Sequence, residues 1–107
     1  MELVESTYRL AAKLSREEKY GLTAQLQRAA VSIPSNIAEG HSRDSTKEYL
    51  RFLSIARGSL AELETQLVLC QRLGLLPEVD IEAVLKLADE VGRMTHGVQT
   101  GLRGRLD

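Results

Sequence analysis

The chain has 107 residues, 14 Lys and Arg against 15 Asp and Glu, and a formal net charge of −1. That length makes one domain, residues 1–107, with one core, and the charge balance excludes a uniformly basic nucleic-acid binder. The lone cysteine excludes an intrachain disulfide. No apolar run nears the ~20 residues of a membrane span and no signal-peptide core opens the chain, so a reducing cytoplasm is the expected compartment.

Leu and Ala dominate, Trp is absent, and no strand-like alternation occurs, so every element reads as helix. The spacing of Leu3, Tyr8, Ala11 and Leu14 predicts a first helix from about Glu2 to Leu14. Ser15 and Glu18 match a capping box that would start the second helix, with Gly21 pushing its regular part toward Leu22. The apolar stripe Leu22, Leu26, Ala30, Ile33, Ile37 keeps its phase through Pro34. The ring removes one bond, to the carbonyl of Ala30, and a single helix kinked at Pro34 is expected, stopping at Gly40.

HSRDS reads as a loop, and Ser45 with Glu48 matches a second capping box. A third helix follows from about Thr46 to Leu73. Its seam is Leu53, Leu60 and Leu67, interleaved with Tyr49, Ala56, Leu63 and Cys70, and Gly74 with Leu75 suits a Schellman stop. Pro77 and Asp80 mark a fourth helix with the stripe Ile81, Val84, Ala88, Val91, Thr95, Val98 and Leu102, and the last residues, GLRGRLD, are expected to fray. Four helices with short connections predict an all-α, antiparallel up-down-up-down four-helix bundle.

Two helices carry a second uncharged side. On the second helix this is Ala24, Val31, Pro34 and Ala38; on the third it is the small-residue ridge Ser54, Gly58, Ala61 and Thr65, flanked by Leu50, Val68 and Leu69. Gly58 in mid-helix costs roughly 1 kcal/mol against alanine, a cost offset if another helix approaches closely. Homo-oligomerisation through these helices is the expectation; an irregular bundle that packs both faces within one chain is the alternative.

Candidate chemistry is sparse. His41 and His96 lack a Glu-x-x-His partner and a zinc-ligand set, Cys70 sits at a seam position, and neither a phosphate loop nor a nucleophile elbow is present. No metal, no cofactor and no enzymatic activity are therefore expected. Gln25, Arg28, Ser32, Asn36 and Glu39 form a polar ridge on the second helix. It reads as a hydrogen-bonded network, with Arg57 and Glu64 as possible partners, or as the lining of a groove. Arg43, Lys47 and Arg51 form a basic stripe that an oligomer would repeat around its axis, making phosphate the natural ligand. With few aromatics for base stacking, contact would be to backbone or shape.

The segments GLTAQLQRAAVSIPSNIAEG and EYLRFLSIARGSLAELETQL resemble the bacterial four-helix-bundle proteins first known from intervening sequences in 23S ribosomal RNA genes. That family is itself similar to the accessory variability proteins of diversity-generating retroelements. The resemblance spans about residues 3–76. It implies a ring-like homopentamer, no enzymatic site, and RNA or a ribonucleoprotein as partner; a module that binds only protein is the alternative. The matched positions include Gln25, Arg28, Ser32, Asn36 and Glu39, then Arg57, Gly58 and Glu62, which the resemblance marks as assembly residues. Arg28, Arg43, Lys47 and Arg51 are the expected phosphate contacts. The chain departs from the family in its late-starting first helix and in a net charge more acidic than that of the retroelement proteins.

Overall fold

The computed structural model describes residues 1–106, with only the backbone of Lys19. It contains four α-helices: α1 (Glu2–Ala11), α2 (Ala24–His41), α3 (Thr46–Arg72) and α4 (Glu78–Leu106). They form a rod of 48 × 22 × 19 Å with no strand among the described residues. α1 packs on α2 and α4, and α3 packs on α2 and α4. The cross-contacts descend along one helix as they ascend along the next. Gly40 lies against Tyr49 and Phe52 while Ser32 meets Ser59, and Ser54 reaches Gln99 while Gln71 reaches Glu78.

The core follows the expected stripes, with local exceptions. Leu26, Ala30 and Ile33 of α2 and Leu53, Ala56, Leu60, Leu63, Leu67 and Cys70 of α3 are all buried. Each fully buried leucine contributes about 1.5–3 kcal/mol of transfer free energy. On α1 the expected Tyr8 is exposed, and Thr7 and Leu10 take its place inside. Thr7 is tolerated there because its hydroxyl donates to the Leu3 carbonyl at 2.8 Å. On α4 the expected Val98 is exposed and Gln99 is buried instead, its amide held by α3.

The connection between α1 and α2 differs from the sequence reading. α1 ends at Ala11, and no capping box forms at Ser15. The Glu18 N–H donates to the Ser15 backbone carbonyl at 3.0 Å, closing a short 3-10 turn over Arg16–Glu18. A wider turn over Lys19–Thr23 follows, broken at Gly21 (φ −101°, ψ −106°), so α2 begins only at Ala24. Once started, α2 continues through Pro34 to His41.

The Ser45 cap and the Gly74 stop of the third helix are present. Ser45 Oγ accepts the Glu48 N–H at 3.0 Å to start α3. At its end Leu75 N–H donates to Cys70 O (3.0 Å) and Gly74 N–H to Gln71 O (3.2 Å), with Gly74 at φ +66°, the Schellman arrangement. α4 is helical to Leu106; of the segment expected to fray, Asp107 lies outside the described residues.

Gly40 sets the α2–α3 spacing. A Cβ there would stand 2.7 Å from Phe52 Cβ and 3.0 Å from Tyr49 Cδ1, whereas one at Gly97 would meet nothing within 4 Å. Gly40→Ala is therefore expected to destabilise the chain by about 1–3 kcal/mol. Gly97→Ala should stabilise it by up to ~1 kcal/mol. Urea unfolding midpoints of the two variants, with opposite signs, check this.

Candidate functional site: the outer face of α2 and α3

The polar ridge of α2 splits between two environments. Ser32 and Asn36 are half-buried against α3, while Gln25, Arg28 and Glu39 are exposed. Ser32 and Ser59 share a hydroxyl–hydroxyl bond of 2.7 Å across the helix pair, and Asn36 Nδ2 donates to Ser32 O and Oγ at 2.8 and 2.9 Å. A small satisfied network therefore ties α2 to α3 at mid-height. Arg57 does not serve this ridge, as the sequence suggested. It faces α4, donating to Gln99 Oε1 at 3.1 Å, while Gln99 Nε2 donates to Ser54 Oγ at 3.3 Å. Glu64 likewise lines the cleft between α3 and α4. The helical turn decides this: Arg57 and Glu64 lie seven residues apart on the α4 side of α3, whereas Ser59 and Glu62 lie on the α2 side.

Above the serine pair opens a groove of about 820 Å³, lined by Gln25, Arg28, Ser32, Ser59, Glu62 and Gln66 among others. Its walls are mostly neutral hydrogen-bonding groups, with one cation and one anion. Beyond the groove, the uncharged sides of both helices stay in the open. Val31, Ile55, Val68 and Leu69 are exposed, as are Ala38, Ser54, Gly58, Ala61 and Thr65, and nothing lies within 4 Å of where a Gly58 Cβ would stand. The single chain thus leaves these positions exposed, while Ala24, Pro34 and Leu50 are half-buried within it and Ser54 accepts from Gln99 of α4.

The four arginine and lysine candidates do not converge. Arg28 sits in the groove, and Arg43 lies beyond the end of α2, roughly 20 Å further along at 1.5 Å per residue. Arg43 pairs with Glu39 (2.5 Å), and Arg51 Nε donates to Glu48 (2.8 Å). Both guanidinium groups stack on Phe52, 5.1 and 4.6 Å from its ring centre. Hydrogen bonding and charge from Arg51, with a smaller contribution from Arg43, hold the Glu48 carboxyl below its usual range. The stripe is therefore an ordered cluster of ion pairs and not three free cations; Lys47 alone of the three has no ion pair among the described residues. Phe52 belongs to the segment that carries the family resemblance, but helical spacing did not place it against Gly40 and beneath the two arginines. Arginine spacing alone does not report that.

His41 packs edge-on to Tyr49 with ring centres 5.6 Å apart, and His96 lies on the rim of the α3–α4 cleft. No helix among the described residues is long and apolar enough to cross a membrane.

A family model described as the 23S rRNA-intervening sequence protein matches residues 1–97. The fold is similar to a solved structure from Bacteroides thetaiotaomicron VPI-5482, a protein of unknown function from the S23 ribosomal protein family. The two align with a TM-score of 0.72 and 19% identity, covering 91% of this chain and 97% of the other. No curated protein matches the chain.

Cys70 is fully buried in the α3 seam, and burial, then the nearby Glu18 carboxylate, pushes its thiol pKa upward. A raised folded-state pKa means the folded chain keeps the proton after the unfolded chain has lost it. The contribution is thus complete below about pH 9, the ordinary value, and falls as pH rises through and above it. Native protein should react with a disulfide thiol reagent far more slowly than urea-unfolded protein, and Cys70→Ala should flatten the loss of stability at alkaline pH.

Proposed function

We propose that this chain, which belongs to the 23S rRNA-intervening sequence protein family, is a non-enzymatic, cytoplasmic homo-oligomer that binds RNA or scaffolds a ribonucleoprotein. The observation that carries the assembly is the uncharged outer face of α2 and α3, left open by the single chain. Exposed Val31, Ile55, Val68 and Leu69 stand beside a ridge of small residues that lets a neighbouring backbone come close. The resemblance to the family supports a pentamer.

Oligomerisation changes the electrostatics of the basic cluster. In one chain the cations Arg43, Lys47 and Arg51 are balanced by Glu39, Asp44 and Glu48. Around a symmetry axis the balanced cluster adds no net charge, but it repeats the Lys47 ammonium groups and the remaining donors of the stacked arginines at close spacing. Phosphate oxygens are the matching ligand, and affinity would fall steeply with salt. The same ion pairs favour a second reading, a scaffold that binds only protein, because Glu39 and Glu48 already satisfy the two arginines.

Titration of wild type and an Arg43/Lys47/Arg51 triple alanine variant with a structured RNA, at low and moderate salt, separates these readings. The RNA reading predicts binding by wild type that weakens with salt and drops about tenfold or more in the variant. Absence of wild-type binding at low salt would leave the protein-only scaffold, and equal binding by the variant would move the RNA site away from this cluster.

A further inference from the structure

The α2–α3 groove holds two exposed charges, Arg28 and Glu62, and one buried amide oxygen without a donor. Arg28 on α2 and Glu62 on α3 both line it, yet neither makes an ion pair with any described residue. Gln66, one helical turn beyond Glu62, lines the same groove, and its Oε1 is buried with no hydrogen-bond donor. Buried carbonyl oxygens in native structures are nearly always matched by a donor; this one has no open surface in the single chain, so it is the exposed Arg28 and Glu62 that an incoming molecule meets.

The surroundings identify that molecule. On the sides of α2 and α3 turned away from α4, Arg28 is the one charge between residues 24 and 38, and Glu62 the one between 54 and 69. The two other charges of the α3 stretch, Arg57 and Glu64, line the α4 cleft instead. A groove with one cation, one anion and neutral amides does not select a polyanion. It is self-complementary, because the same surface offers both members of an ion pair. It is also continuous with the exposed apolar face of the two helices.

We infer that the occupant is a second copy of this chain, with Arg28 of one copy paired to Glu62 of the next. The inference rests on the assembly reading above and specifies its chemistry. Like charges set against each other at such a contact weaken association, whereas a matched pair fixes register.

Arg28→Glu, Glu62→Arg and their equimolar mixture, sized by sedimentation velocity, provide the test, with circular dichroism to verify that each chain is folded. Each reversal alone is expected to raise the apparent dissociation constant tenfold or more. The mixture should reassemble at least in part, because glutamate at position 28 of one chain faces arginine at position 62 of the other at every contact between unlike variants, while a five-membered ring keeps one contact between like variants. An ion pair within one chain cannot be restored by mixing, so a mixture that stays dissociated overturns the inference. Reversals that assemble like wild type overturn it as well, while leaving the assembly reading intact; a monomeric wild type overturns both. Should either reversal unfold, the neutral variants Arg28→Gln and Glu62→Gln must each weaken assembly in the same direction, and unchanged assembly in both overturns the pairing.

Discussion

Gly40 passes so close to α3 that a methyl group in its place would collide with Phe52 and Tyr49. That approach closes the α2–α3 hairpin and sets the separation of the two longest-packed helices. With the backbones held there, Leu26, Ala30 and Ile33 interlock with the α3 seam, and Ser32 can reach Ser59 in one 2.7 Å bond. Close packing of this kind transmits small volume changes, so the geometry of the groove above the serine pair depends on the contact at the hairpin's end.

The hairpin also decides which side chains are left over. One side of α3 faces α2, the other faces α4, and the arc between them is open. Arg57 and Gln99 settle each other on the α4 side, while the arginines near the loop are settled by Glu39, Glu48 and the ring of Phe52. What remains is a nearly uncharged outer face with a polar groove set into it. Such a face is unusual on a small chain that must stay in solution alone, and a contact with another copy is the economical explanation.

Much of the fold was legible in the sequence. The Ser45 cap, the Gly74 stop and the seven-residue leucine spacing place α3 to within a residue of its observed ends, because cap chemistry and periodicity act locally. The α1–α2 connection was not legible. Ser15 and Glu18 have the pattern of a capping box, but the chain turns through a 3-10 segment and breaks at Gly21 before α2 begins. Burial was misread at two polar residues that find internal partners, Thr7 with the Leu3 carbonyl and Gln99 with Arg57 and Ser54. For the site, periodicity identified the uncharged faces and the polar ridge. It could not reveal that Arg43 and Arg51 are held by carboxylates, or that Gln66 carries a buried carbonyl without a donor, because both depend on how neighbouring side chains meet.

The central claim is that the outer face of α2 and α3 is covered by other copies of the chain. The most direct measurement is the mass of wild-type protein in solution at micromolar concentration, by native mass spectrometry under conditions that preserve assemblies. The account predicts a discrete species at a multiple of the 11.9 kDa chain mass, with five copies expected. A single species at 11.9 kDa across that concentration range would contradict it.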